Sequence, residues 1–595
     1  MNLIEQLRSV FRPILAKRVE DESKLLGYLG MIRPGQNPDL ADYQANFAMP
    51  LAKTLNKKSP ELASEIISEL PKDGLIASAN LAGPGFINLK LSDAFLAQAL
   101  SQIRSDDRLG ASRASSPRKI VIDYSGPNVA KPLHVGHLRS TIIGEALHRL
   151  LEFRGHQVIA DNHLGDWGTQ FGMLLYGYKN HLDKAAYEKD PVSELARLYK
   201  LVRKLGEAKS DEDEGDTANP VVQAYRQETV KLHQGDPENN RLWKEFMPAC
   251  LEEVHIIYRR LDVHFDHELG ESFYNPMLAD VVADCLKKGI AQESQGAIVI
   301  AENEKSVSLI RKSDGAYTYT TTDLATIKYR VEHFRADCCL YVVDFRQGDH
   351  FKKLFTAAKR WGYPNIELTH VSFGSVLGED KRPIKTRSGE PIELNELLDE
   401  AIRQGREKYE ASRSEREERG FRVPELSDAE IQEIAEVVGL GAVKYADLSQ
   451  NRTSDYVFSY EKMLATDGNT ATYNQYAYAR CRSIFRESEV EELAFQKQNH
   501  PVILGEPQER ALALQLLRLD EALITAEAEY APHALTSYLW EVSKALASFY
   551  ASPNCSVLKA SSDELKNSRL VLCDLTARTI SLVLNLLAIR TVERM

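Results

Sequence analysis

The stretch 119–137 constrains the fold more than any other part of the chain. It opens with a short apolar run, KIVID (119–123), turns through Gly126, Pro127 and Asn128, and enters a helical pattern at about Val135. Such a run bounded by a Gly/Pro/Asn turn reads as a buried strand, and strand–loop–helix is the entry to a nucleotide-binding α/β sheet. A second strand of this kind is expected at 157–160 (QVIA).

With 595 residues the chain exceeds what one hydrophobic core can serve, so roughly three or four domains are expected. Residues 1–110 read as a small α+β unit. It starts with an amphipathic helix, ELASEIISEL is helical, and GFINLKL alternates like a strand. The polar stretch 112–118 (SRASSPR) reads as a linker. The acidic stretch 206–220 reads as a solvated surface loop. Strand patterns return near 297–301, 339–343 and 366–373, and 402–422 is a mixed-charge, helix-compatible connector. From about 428 onward one amphipathic helix follows another, which predicts an all-α C-terminal domain.

Composition narrows the function classes. Hydrophobic residues make up 43% and charged residues 27%, the balance of a soluble globular protein. No apolar run reaches the roughly 18 residues a membrane helix needs. The N-terminus lacks the compact apolar core of a signal peptide, so a cytoplasmic location and no membrane partner are expected. Seven cysteines cannot all pair and none lies in a CxxC, which predicts reduced, buried thiols and no structural zinc. A net charge of −12 argues against wholesale coating by nucleic acid but leaves room for confined basic faces.

The strongest chemistry lies in Lys131-Pro-Leu-His134-Val-Gly136-His137. Two histidines at i, i+3 share one helix face at its positive end. Gly136 has no Cβ, so a ligand ring can approach the backbone. The arrangement suits a nucleoside triphosphate, with imidazoles and Lys131 meeting phosphate oxygens. A zinc pair is the competing reading, but no cysteine or further ligand-spaced histidine lies nearby.

SGPNVAKPLHVGHLRSTIIGEAL resembles the HIGH signature of class I aminoacyl-tRNA synthetases in its arginyl form, and HLGDWGTQFGMLL (163–175) is similar to the stretch that follows it in that family. Gly126 stands where the family has a serine. The resemblance covers nearly the whole chain. It implies a multidomain α/β fold: an N-terminal α+β tRNA (D-loop) domain at 1–110, a Rossmann-type parallel-sheet catalytic domain at 111–400 with an insertion at about 176–297, connector and stem-contact helices at 401–470, and a helical anticodon-binding domain at 471–595. It implies ATP-dependent activation of L-arginine and transfer to the 3′ adenosine of the tRNA for arginine. ATP with Mg²⁺ is then a substrate, no tightly bound cofactor is needed, and the molecule is a monomer. It also implies that activation depends on bound tRNA.

The resemblance carries roles residue by residue. Lys131, His134 and His137 would be catalytic together with Lys385, which belongs to a degenerate second signature, Lys385-Thr-Arg387-Ser388-Gly. ATP would meet His134, Gly136, His137, Lys385, Arg387 and Ser388. Arginine would meet Asp123, Ser125, Gly126, Asn128, His137, Tyr319, Asp323 and Gln347, with Tyr319 and Asp323 on one helix face and Asp123 as a second acid. A planar guanidinium is selected by carboxylates that fit its fork. tRNA would meet Phe86 and Asn88 in the N-terminal domain and Tyr473, Gln475, Tyr476, Arg480 and Met595 in the C-terminal domain. There Thr472 and Asn474 depart from the family's Pro and Leu.

Two rival readings compete with this one. Another class I synthetase or a small HxGH nucleotidyltransferase is disfavoured by the long helical C-terminus and the two candidate acids. A cysteinyl enzyme would bring zinc-ligand cysteines. A catalytically dead, tRNA-binding paralogue is disfavoured by the intact Lys131, His134, His137, Tyr319 and Asp323.

Overall fold

The computed structural model describes residues 1–207, 218–303, 306–378, 380–382, 384, 392–420, 423 and 425–595. Lys385, Arg387 and Ser388 lie outside the described residues, as does most of the acidic stretch expected to be a surface loop.

The N-terminal unit is a four-stranded antiparallel sheet. Its spatial order is Ile32–Pro34, Tyr43–Ala45, Phe86–Leu91 and Ile76–Ala82. Alternation in Phe86–Leu91 sends Ile87, Leu89 and Leu91 into the core and Phe86, Asn88 and Lys90 outward. The helices Leu3–Ala16 and Ser59–Ser68 bury Leu7, Phe11, Leu62 and Ile66 in the same core.

The catalytic sheet has five parallel strands in the order Glu367–His370, Cys338–Tyr341, Lys119–Asp123, Gln157–Asn162 and His267–Glu268. From the central strand the chain passes through the histidine helix, Val135–Phe153, to the neighbour on one side. It reaches the other side only at Cys338–Tyr341. The winding therefore reverses between Lys119–Asp123 and Cys338–Tyr341, and their carboxyl ends open the crevice where such sheets bind ligands. The strand expected at 157–160 runs on to Asn162.

The expected insertion is more divided than its single range suggests. The helices Thr169–His181, Pro191–Leu205, Pro220–His233 and Pro237–Leu261 enclose a core of their own around Leu174, Leu198, Tyr225 and Phe246. A small antiparallel sheet, Ala291–Ser294, Ala297–Asn303 and Ser306–Arg311, packs separately. Between the two, His267–Glu268 returns to complete the parallel sheet. A two-residue strand leaves no periodicity to read, which is why this edge was invisible in the sequence.

The mixed-charge connector is the helix Leu394–Glu418. Pairs such as Arg406–Glu410 and Arg413–Glu417 line its wet side at i, i+4. Its dry side crosses the junction helix Asp428–Leu448 at Gly405 and Gly439. A Cβ on Gly439 would stand 2.5 Å from the Ala401 carbonyl oxygen, so the two backbones touch there. The junction helix also faces the histidine helix, where the fully buried Arg139 and Asp447 pair at 3.0 Å. The C-terminal domain is helical as expected, with Ala471–Glu487, His533–Ala551 and Asp563–Leu586 at its centre. All seven cysteines are free and buried. Among the described residues no helix is long and apolar enough to cross a membrane.

Replacing Gly439 with alanine should separate these helices and destabilise the protein by about 1–3 kcal/mol, the usual cost of overpacking. The check is the urea midpoint of Gly439→Ala against that of the parent chain.

Candidate active site

Three segments meet at the reversal point of the sheet. The first follows the central strand. Ser125 and Gly126 both hold positive φ, +68° and +54°, so the chain turns sharply away from the sheet. The glycine takes this conformation without the steric penalty a side chain would carry. Its N–H donates to Asn162 Oδ1 at 3.1 Å. Ser125 is buried, and its hydroxyl lies 2.7 Å from Tyr258 Oη and 2.9 Å from Thr141 Oγ1. Its side chain is thus part of the frame of the turn. Asn128 is exposed and bridges to Gly165, whose missing Cβ leaves room for the amide.

The histidines then cap their own helix. His134 is the N-cap. Its Nδ1 accepts from the Gly136 N–H, and His137 Nδ1 accepts from the His134 N–H, each at 3.1 Å. A backbone N–H can only donate, so both Nδ1 atoms carry lone pairs and the ring protons sit on Nε2. The rings lie 4.0 Å apart. Burial, with help from His134 and Lys131, pushes the His137 pKa down to about 3, so this imidazole is a neutral donor at working pH. Fixed positive charge at the site comes from Lys131. The segment 133–135 is also paired with 392–394. Val135 N donates to Ile392 O at 3.2 Å and Leu394 N to Leu133 O at 2.7 Å. The far flank of the Lys385 signature is thereby clamped beside the histidines.

The second segment is the helix Tyr319–Glu332, which begins where the i, i+4 reading of Tyr319 and Asp323 required. Tyr319 is 76% exposed at its first turn. Asp323 accepts from His350 Nε2 at 2.7 Å. Three turns along, the fully buried Arg330 reaches back under the sheet's carboxyl edge. Its Nη2 lies 2.8 Å from Asp123 and 2.8 Å from Asp161. Arginine stacking on the Tyr341 ring completes the contact, with the guanidinium 5.3 Å from the ring centre. Asp123, expected as a free second acid, is therefore already bound to a guanidinium of the protein's own.

A carboxyl the sequence did not single out, Glu271, also lies at the site. Glu271 begins the short helix Glu271–Tyr274, which packs against Tyr319–Glu332 through Phe273, Tyr274 and Tyr329. Burial, then Asp166 and Asp323, raises its pKa to about 7. Among the described residues it has no cationic partner. A lone glutamate in a chain rich in charge carries no signal of such a place. The third segment holds Gln347, exposed at the end of the turn Phe345–Gln347, on the far wall of the crevice.

The expected tRNA residues divide. Phe86 and Asn88 lie on the outward face of the N-terminal sheet, where Asn88 is opposed by Gln44 and Asn80 and accepts from Gln44 Nε2 at 2.8 Å. In the C-terminal domain Arg480 is exposed over Tyr550, Tyr473 packs beside Trp540, and Tyr476 meets Ser412 Oγ at 2.9 Å. Met595 O accepts from Arg416, which also faces the Tyr476 ring. Gln475 departs from expectation. It is fully buried and donates to Val437 O and Arg590 O, so its amide holds helices together and does not face outward. Asn474, the departure from the family's leucine, is equally buried and bonded to Tyr445, Thr470 and Ser543. A polar group is tolerated there because every one of those bonds is made inside the helical core.

Comparison with known proteins finds matches along nearly the whole chain. Residues 99–460 match the family described as tRNA synthetases class I (R), catalytic domain. Residues 5–91 match the arginyl tRNA synthetase N terminal domain, and 474–595 the DALR anticodon binding domain. The chain is 43% identical over 656 residues to an arginine–tRNA ligase of Rhodopirellula baltica, with 96% of each covered. It is 43% identical over 570 residues to that of Nostoc punctiforme, with 94% of each covered. Among solved structures it is similar to the arginyl-tRNA synthetase of Plasmodium falciparum, at TM-score 0.82, 28% identity and full coverage of both chains. The fold also matches that of the Thermus thermophilus enzyme, at TM-score 0.77, 23% identity and coverage of 95% and 96%.

Removing Arg330 would leave two buried carboxylates without their cation, a change that typically costs about 3–5 kcal/mol. Arg330→Met should lower the thermal midpoint accordingly. Its carboxylates would then have folded pKa values raised by burial, and such groups destabilise while ionised. The deficit against the parent chain should therefore shrink as pH falls from about 8 to about 5.

Proposed function

Since the chain belongs to the class I arginyl-tRNA synthetase family and is an arginine–tRNA ligase, we propose how its own residues divide that reaction. ATP is a substrate, and tRNA for arginine binds through the DALR anticodon domain. The substrate arginine enters the crevice with its guanidinium toward Asp323 and Glu271, and with Tyr319 closing over it. The observation that carries this reading is Glu271, a half-buried carboxyl beside Asp323 whose pKa is raised to about 7 and which has no cationic partner among the described residues. A guanidinium between two such acids supplies the missing charge, and a lysine ammonium cannot fill the planar fork. Asp123 then serves the pocket from behind, by holding Arg330 and with it the helix that carries Asp323.

The carboxylate of the bound arginine attacks the α-phosphorus of Mg·ATP in line, and pyrophosphate leaves. The terminal ribose hydroxyl of the tRNA then attacks the adenylate carbonyl and releases AMP. Positioning and charge neutralisation dominate such transfers. His134 and His137 offer Nε2–H donors to phosphate oxygens as neutral rings, and Lys131 adds the cation, joined by Lys385 from the adjacent signature. Asn128 and Gln347 border the amino-acid end. The outward face around Phe86 and Asn88 takes a nucleotide by stacking and amide contacts, and Tyr473, Tyr476, Arg480 and Met595 border the anticodon loop. A cytoplasmic monomer suits this role.

The test is arginylation of tRNA by Asp323→Ala and Glu271→Gln, with each substrate varied in turn. Both variants should raise KM for arginine about ten- to a hundredfold, as expected when a charged hydrogen bond is lost, and leave KM for ATP unchanged. An unchanged KM for arginine in both would overturn the pocket assignment.

A further inference from the structure

The acid that meets the substrate guanidinium already has a partner inside the protein. Asp323 Oδ2 lies 2.7 Å from His350 Nε2. The two residues come from different helices. Asp323 lies one turn into Tyr319–Glu332, and His350 stands at the start of Gly348–Trp361, directly after the Gln347 turn. Their side chains are 26% and 34% exposed, so this pair lines the crevice and is no part of a sealed core. A carboxylate can only accept, so the imidazole donates from Nε2, and Nδ1 is the nitrogen that gains or loses the second proton. One lone pair of one oxygen is engaged, and Oδ1 has no partner among the described residues.

We infer that His350 is a positioning residue for substrate selection: it holds the Asp323 carboxylate in the plane a guanidinium engages, and in its neutral form it leaves that carboxylate's charge to the substrate. This rests on the reading of Asp323 as a guanidinium-binding acid. Glutamine or asparagine could supply the same hydrogen bond. What the imidazole adds is a second protonation state that competes with the substrate.

The charges around it set the direction of that competition. Asp323 raises the His350 pKa, while burial and Lys353 on the same helix lower it. Asp323 also raises the pKa of Glu271, after burial and Asp166. In the preceding turn Arg346 is bound to Asp344, at 2.9 Å. From the neighbouring strand His370 donates to Val343 O, at 2.9 Å. The strand Ala297–Asn303 meets only the far end of the His350 helix, through Arg360 and Ala301 O. Asp349 precedes His350 on its helix, but the hydrogen bond of His350 runs to Asp323, so protonation of Nδ1 places a cation directly on the Asp323 carboxylate. Arginine should bind more weakly as pH falls through the His350 pKa.

The experiment measures KM for arginine and for ATP over about pH 6–9, in the parent enzyme and in His350→Gln, His350→Ala, Asp323→Ala and Asp323→Ala/His350→Ala. In His350→Ala, KM for arginine should rise about tenfold or more, with KM for ATP unchanged. His350→Gln should restore it to within a few-fold, because an amide still donates. The slope of log KM for arginine against pH should be shallower in His350→Gln than in the parent, and flat once Glu271→Gln is added. The double variant should be no worse than Asp323→Ala alone, as expected if His350 acts only through Asp323. A parent-like KM for arginine in His350→Ala, an unaltered pH slope in His350→Gln, or additive losses in the double variant would each overturn the inference. If Asp323→Ala itself left KM for arginine unchanged, the pocket reading would fail with it. If Asp323→Ala raised that KM and His350→Ala did not, only the role of His350 would fall.

Discussion

The guanidinium of Arg330 sits between Asp123 and Asp161 at the carboxyl edge of the sheet, wholly out of water. Asp123 and Asp161 are register partners on adjacent parallel strands, so their like charges are forced side by side. Two carboxylates that close, and that buried, persist only with a cation between them. Supplying it from the helix Tyr319–Glu332 fixes where that helix lies on the sheet. The position of Asp323, two turns earlier on the same helix, follows from this contact. So does the approach of the short Glu271–Tyr274 helix that packs on it. The pocket proposed for a substrate guanidinium is thus built on a guanidinium the protein already holds.

A second set of buried contacts ties the histidines to the rest of the molecule. Arg139 lies on the histidine helix and pairs with Asp447 on the junction helix, beneath the rings of Tyr456 and Phe373. On the same junction helix the fully buried Lys444 donates to Leu261 O, at 2.8 Å, and to Ala588 O. These carbonyls end one catalytic-domain helix and follow the last C-terminal helix, positions where a cation is favoured by the helix dipole. Burial lowers the Lys444 pKa to about 7, and the carbonyls take the place of water around it. The two buried charges of the junction helix, Lys444 and Asp447, are both spent on contacts with other helices, which makes the catalytic and anticodon-binding parts neighbours through one element.

The chemistry of the phosphate end differs in kind from that of the arginine end. Capping bonds fix the tautomers of His134 and His137, so they act as oriented neutral donors. In the proposed pocket the arginine end works by charge, and Asp323 adds to the cost of ionising Glu271. A site that must bind a polyanion and a cation a few ångströms apart gains from this separation, since fixed positive charge beside the carboxylates would cancel the field that selects the guanidinium.

Much of this was legible in the sequence. The strand–turn–helix at 119–137, the alternation of Phe86–Leu91 and the helical C-terminus are local patterns, set by side-chain periodicity and by the turn chemistry of Gly126 and Pro127. The i, i+4 spacing of Tyr319 and Asp323 likewise needed only a helix to start on time. Pairings distant in the chain were not legible. Arg330 is 207 residues from Asp123, and Glu271 looks like any surface glutamate until burial removes its water. Gln475 sits among tyrosines and arginines that suit RNA, yet its amide is turned into the helical core. The sequence by itself determined which elements form and which residues could carry charge or hydrogen bonds. Tertiary structure alone decided which charges are neutralised from within, as Asp123 is, and which, like that of Glu271, have no cationic partner among the described residues, because that depends on desolvation and on partners the chain brings together only when folded.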